Sequence, residues 1–212
     1  MSRRRLAATA LLAVAGVLVA CGVPAEPDSA PQPQPTRVTA QPTPAASWTP
    51  SSFDAALSAE LLTMLAQDQA DRHTGDGEGT DEERTERLRE IIEAHGWPTY
   101  SLVGEEAEDA AWAIAQHSDH DPAFQREALE WLRVAVENGD ASGGNLAYLT
   151  DRVAVGAGDP QTYGTQIGCG DDGPSPATPI ADEATVDERR AGVGLPPLAD
   201  YYAELEALCA QE

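Results

Sequence analysis

Among the four histidines of this 212-residue chain, His117 lies in the string richest in polar chemistry, Gln116-His117-Ser118-Asp119-His120-Asp121-Pro122-Ala123-Phe124-Gln125. An imidazole titrates near neutral pH, so it can take a proton from a reacting group and return it. Asp119, two residues on, is the expected orienter of that base. Arg152, with the amides of Thr165 and Gln166, would then face negative charge developing in a hydrolase or transferase. The same groups suit a second chemistry that needs no reaction. His117, Gln125, Asp151, Arg152, Tyr163 and Gln166 would converge as donors and acceptors on a small polar ligand or a component of the cell envelope. His95, in His95-Gly96-Trp97-Pro98, is the outlying candidate. A third reading keeps all of them in packing or protein interaction, since a histidine in the last turn of a helix is favoured by the helix dipole alone.

No metal or other cofactor is expected. His117-Ser118-Asp119-His120 lacks the leading His of the H-x-H-x-D-H string of metallo-hydrolases, and the acidic stretch 76–86 lacks the D-x-D-x-D-G order of a calcium loop. A Ser nucleophile elbow and a Gly-rich phosphate loop are also missing from the sequence.

The elements that must position these residues are helical almost throughout. Phe53, Leu57, Leu61, Met64 and Leu65 mark a first helix running towards Asp71. Thr80-Asp81-Glu82-Glu83 reads as a capping box opening a second helix through Leu88, Ile91, Ile92 and His95, which Gly96 and Pro98 stop. His95 follows Leu88 by seven residues, which predicts a place on the apolar stripe. A third helix is expected from Glu105 to His117. A fourth starts at Asp121 as N-cap with Pro122 behind it, placing Gln125 on the face of Leu129 and Leu132. A fifth covers Ser142 to Val155, and two short ones, near 186–191 and 198–209, close the chain. The Gly, Pro and Thr between 160 and 180 permit an irregular segment or a small hairpin. The expected fold is mainly α, a single compact domain over 51–212 of about six or seven helices.

What precedes that domain is of another kind. Met1-Ser2-Arg3-Arg4-Arg5 followed by apolar or small residues from Leu6 to Ala20 reads as a signal peptide over 1–20, too short to span a membrane. Ser2-Arg3-Arg4-Arg5-Leu6 partly resembles a twin-arginine signal. Leu18-Val19-Ala20-Cys21-Gly22 resembles the lipobox of bacterial lipoproteins, which implies lipid attachment at Cys21 and membrane lipid as a partner on the extracytoplasmic face. Residues 21–50, rich in Pro, Ala, Thr and Gln, read as an extended tether.

A formal charge of -23, with 13 basic residues against 36 acidic ones, argues against nucleic acid as a partner. It also argues against binding flat on an anionic membrane. Cys169 and Cys209, facing an oxidising exterior, are expected to be disulfide-bonded.

Taken together, the segments His95-Gly96-Trp97-Pro98, Gln116-His117 with Asp119 and Asp121-Pro122, Tyr148-Leu149-Thr150-Asp151-Arg152 and Tyr163-Gly164-Thr165-Gln166 resemble a bacterial family catalogued only as a domain of unknown function. The likeness extends through Gly194-Leu195-Pro196-Pro197-Leu198 and Tyr201. It implies a mostly helical fold and no particular activity, and it leaves Cys169 and Cys209 as additions of this member.

Overall fold

A computed structural model of the chain describes residues 52–75, 77–170 and 173–210. The expected leader 1–20, Cys21 and the tether to residue 50 lie outside the described residues. Within them the chain forms α1 (Ala55–Thr74), α2 (Asp81–His95), α3 (Tyr100–Val103), α4 (Glu105–Gln116), α5 (Pro122–Glu137) and α6 (Gly143–Ala157). The hairpin strands β1 (Ile167–Gly170) and β2 (Gly173–Pro176) follow, then a 3-10 turn, α7 (Val186–Gly192) and α8 (Leu198–Cys209). The fold is mainly α, with one small antiparallel hairpin where the irregular segment was expected.

Local signals set most helix ends. Thr80 and Glu83 form the reciprocal capping box, each side chain accepting from the other's backbone amide, at 3.2 and 3.0 Å. Asp121 accepts from the Phe124 amide at 3.0 Å, with Pro122 at the first helical position. Two expectations need correction. Phe53 stays 59% exposed, because Asp54 caps α1 after it by accepting from the Ala56 and Leu57 amides. His95, placed on the apolar stripe by its spacing from Leu88, is exposed. Its helix ends there, Gly96 turns the chain with φ 76°, and the next residue the chain buries is Trp97.

The core is built around α4. Ala107, Ala110, Ala111, Ala113 and Ala115 are all buried along with Ile114. Side chains of one methyl group let α1, α2, α3, α5 and α6 approach this helix from all around. Leu61, Leu88, Ile91, Phe124, Leu132 and Leu149 fill the spaces between them. The end of the chain is fastened differently: α7 and α8 bury only Val186, Arg190 and Leu198. There the attachment is polar, with Arg190 Nη1 donating to the Tyr163 carbonyl at 2.9 Å and Nε to the Pro196 carbonyl at 2.6 Å. A Cys169–Cys209 disulfide joins β1 to the end of α8. Among the described residues no helix is long and apolar enough to cross a membrane.

Candidate functional site

The turn that follows α6 carries half of the site, and Asp151 shapes it. This fully buried carboxylate accepts from the amides of Thr162 (2.6 Å), Tyr163 (3.1 Å) and Thr165 (2.9 Å) and from the Thr165 hydroxyl (3.0 Å). Such a set of donors replaces the hydration that an ionised side chain loses on burial. The turn also needs Gly164, where φ is 67° and a Cβ would come within 2.6 Å of Ile180 Cδ1. Gln161 closes it from the other side, donating to the Gln166 carbonyl at 3.1 Å and accepting from the Gln166 amide at 2.8 Å. Asp151, Tyr163 and Thr165 therefore hold the frame, and it is Gln166 whose side chain is presented.

Gln166 meets the end of α4. Its Oε1 accepts from Arg152 Nη1 and from Gln116 Nε2, both at 3.3 Å. Arg152 also makes an ion pair with Asp119, which in turn accepts from Gln125 Nε2 at 3.1 Å. Gln125 donates as well to the Ala115 and Gln116 carbonyls, at 3.3 and 3.2 Å, so it secures the last turn of α4. Gln116, Tyr148, Arg152, Thr165 and Gln166 line an open cleft of about 350 Å³ together with Ile167 and Gly168 of β1 and Ala177, just past β2.

One atom in this cleft is left over. Gln116 is only 8% exposed, yet its Oε1 has no hydrogen-bond partner among the described residues. The orientation of the amide is not arbitrary. A guanidinium can only donate, so Arg152 must face the oxygen of Gln166. That oxygen must then receive the NH2 group of Gln116, which leaves the Gln116 oxygen without a donor, buried in the wall of the cleft.

His117 stands on the other side of the Asp119–Arg152 pair, in a cleft of about 480 Å³ that Arg72, Asp81, Asp119 and His120 also line. Its partner is not Asp119, as the sequence spacing suggested, but Asp68 of α1, whose oxygens lie 2.9 and 3.0 Å from Nδ1. Asp119 cannot serve because Arg152 and Gln125 hold its carboxylate. Arg72 Nε lies 3.0 Å from the same Nδ1 and 3.1 Å from Asp68 Oδ1. A fully buried carboxylate facing an imidazole lone pair would repel it, so Nδ1 carries the proton, the Arg72 hydrogen serves Asp68, and Nε2 is the free nitrogen. Burial pushes the His117 imidazole below its ordinary value; Asp68 opposes this and Arg72 adds to it.

The structure thus brings Gln125, Asp119, Arg152 and Gln166 into one connected network, with Asp151, Tyr163 and Thr165 beneath it and His117 on its far side. His95 is exposed and is not part of it. Asp68 and Arg72 belong with the site although spacing did not single them out, and Gln116 and Tyr148, which head two of the polar segments, belong with it although they were not among the candidates. Asp68 had a legible signal: it continues the stripe Leu57, Leu61, Met64 as a carboxylate on an apolar face. Among the described residues no group of three His, Cys, Asp or Glu side chains is arranged to hold a metal ion.

Neither a curated protein nor a solved structure shows significant similarity to the chain. Residues 55–210, which contain every element described above, match one family across its helices, its hairpin and both clefts, and the chain belongs to that family of unknown function, DUF6624.

Proposed function

We propose that the domain is a binding module for a small polar ligand, carried on a lipid anchor at Cys21 and a Pro-rich tether on the extracytoplasmic face. The observation that carries this reading is the unpartnered Gln116 oxygen. A buried acceptor left without a donor costs about 1–3 kcal/mol, a cost that stability alone gives no reason to retain. A ligand hydroxyl, amine or amide N–H would satisfy it. Arg152 stands beside it, and a ligand carboxylate or phosphate could draw its guanidinium from the Asp119 pair. Tyr148 and Ile167 supply the apolar side of the cleft. The ligand class is therefore a compact molecule with a donor and an anionic group a few ångströms apart, of which a carboxylated amino sugar or a D-amino-acid peptide of the cell wall is an example.

A Gln116→Met variant tests this reading. It removes the unpartnered oxygen and the Nε2 donor to Gln166, whose oxygen keeps Arg152, while keeping the shape of the side chain. In a binding module it leaves the stability of the free domain equal or higher, and it abolishes the thermal shift that N-acetylmuramic acid or D-alanyl-D-alanine gives the wild type. A destabilised variant, with neither probe bound by the wild type, would count against the proposal.

A further inference from the structure

We propose that Asp68 and His117 form a general-base pair that hydrolyses small neutral or amine-bearing acyl esters in the cleft beside Arg72. This site is separate from the Gln116 cleft and does not depend on the binding reading. Three observations carry it. The imidazole is anchored through Nδ1 by a carboxylate that is 0% exposed, so its tautomer and ring plane are set before any substrate arrives. The anchored histidine borders a water-accessible cleft of about 480 Å³ rather than packed side chains. And Asp68 is itself held from behind, by Arg72 and by the buried Arg84, whose Nε is 3.9 Å away and has no hydrogen-bond partner among the described residues. An orienter fixed in this way matches what a base needs and exceeds what packing requires.

The reaction balances with water as the only co-reactant. Water in the cleft gives a proton to His117 Nε2 as its oxygen bonds to the acyl carbon, and the carbonyl electrons move to the oxygen. When that intermediate collapses, the ester C–O bond breaks and the leaving alkoxide takes the proton back from Nε2. The acid and the alcohol depart with the base restored. Arg72, which lines the same cleft, is the cation available to the oxyanion.

The charges facing the cleft set the preferred substrate. Asp71, Asp81, Glu82 and Asp119 line it with Arg72, and although Arg84 pairs with Asp71 and Asp81 and Arg152 with Asp119, the carboxylates, with Asp68 behind them, outnumber the guanidinium groups. Phosphate esters and anionic acyl groups are therefore disfavoured, and an ammonium group is favoured. His117 in its neutral form is the working base. Besides burial, the groups that set its titration are Asp68 and Arg72 from α1 and Asp81 from α2, while Asp119 and His120 from its own turn face the same cleft.

The test uses 4-nitrophenyl acetate, 4-nitrophenyl glycinate and mono-4-nitrophenyl succinate, each corrected for buffer and compared with free imidazole at equal concentration. The expected results are hydrolysis above the imidazole rate, a slower rate in D2O, and the order glycinate, acetate, succinate, narrowing as salt is added. His117→Gln should lower kcat/KM by about 100-fold, whereas His73→Ala, on the exposed face of α1, leaves it unchanged. Asp68 is a positioning residue, so Asp68→Asn should lower kcat and also move the base limb of the pH profile to lower pH, because the carboxylate that favours the imidazolium is gone. If Asp68→Asn does not fold, titration of His117 in the wild type by NMR replaces it, with a midpoint below that of an exposed histidine expected. Rates no higher than free imidazole, or a His117→Gln variant as active as wild type, would overturn the proposal.

Discussion

Glu108 sits in the middle of the alanine-rich helix α4 with no exposed surface. Its oxygens accept from Trp97 Nε1 and from Asn145 Nδ2, each at 3.0 Å. Burial pushes its carboxyl up to about 7 and the neighbouring Asp109 adds to this, while the donors of Trp97 and Asn145 oppose it. A carboxyl raised on folding is favoured protonated, so its contribution to stability is fully present below the unfolded value of 4.5 and is lost as pH rises through about 7. At 1.36 kcal/mol for each unit, the loss between pH 4.5 and 8 is about 3 kcal/mol. In a domain of this size that lowers Tm by about 6–12 °C. Other groups titrate over the same range, His117 among them, so the comparison must be with Glu108→Gln. Any fixed cost of the amide beside Asn145 is equal at every pH and cancels. Urea unfolding of both proteins at pH 4.5, 6, 7 and 8 should show the variant gaining about 3 kcal/mol on the wild type across the series. Parallel stability curves would refute the reasoning and mean that folding does not raise the Glu108 carboxyl.

Three further outcomes follow from particular contacts. Reduction of Cys169–Cys209, or Cys209→Ser, should cost up to about 4 kcal/mol by loop entropy for a sequence separation of 40, with hydrogen exchange rising first in α8 and the hairpin; unchanged exchange there would show that the bridge constrains nothing. Asp151→Ala strands three backbone amides and a hydroxyl in a buried turn and should lower stability by at least about 3 kcal/mol in urea unfolding, with Gln166 losing its position. Cys21→Ser should release the protein from the membrane fraction or block its processing, and unchanged detergent partitioning would remove the anchor from the account.

Much of this architecture could be read directly from the chain because the signals were local. The Thr80 capping box, the Asp121-Pro122 start and Gln125 on the Leu129 face each depend on residues within one or two turns, and each stands where expected. Asp68 was missed because its partner is 49 residues away, and spacing cannot report a bond between α1 and the end of α4. Asp119 was assigned to His117 for the opposite reason: it is near in sequence, but Arg152, 33 residues on, has the stronger claim. His95 shows the limit of periodicity, since a position on the apolar side of a helix is buried only if the helix still has a neighbour at that height. The four-residue α3 is too short to show a period at all. Gln116 was visible as a polar residue at a helix end, but its free oxygen emerges only from tracing which amide faces which guanidinium.

The measurement that bears most directly on the binding cleft is the side-chain amide spectrum of the 15N-labelled domain, titrated with N-acetylmuramic acid and D-alanyl-D-alanine. If the cleft is the binding site, the Nε2 resonances of Gln116 and Gln166 and the Nε resonance of Arg152 move together and saturate at one ligand per chain, while those of Gln69, on α1, stay fixed. Resonances of Gln116 and Gln166 that remain still, while the protein binds these probes elsewhere or not at all, would contradict the assignment of the cleft.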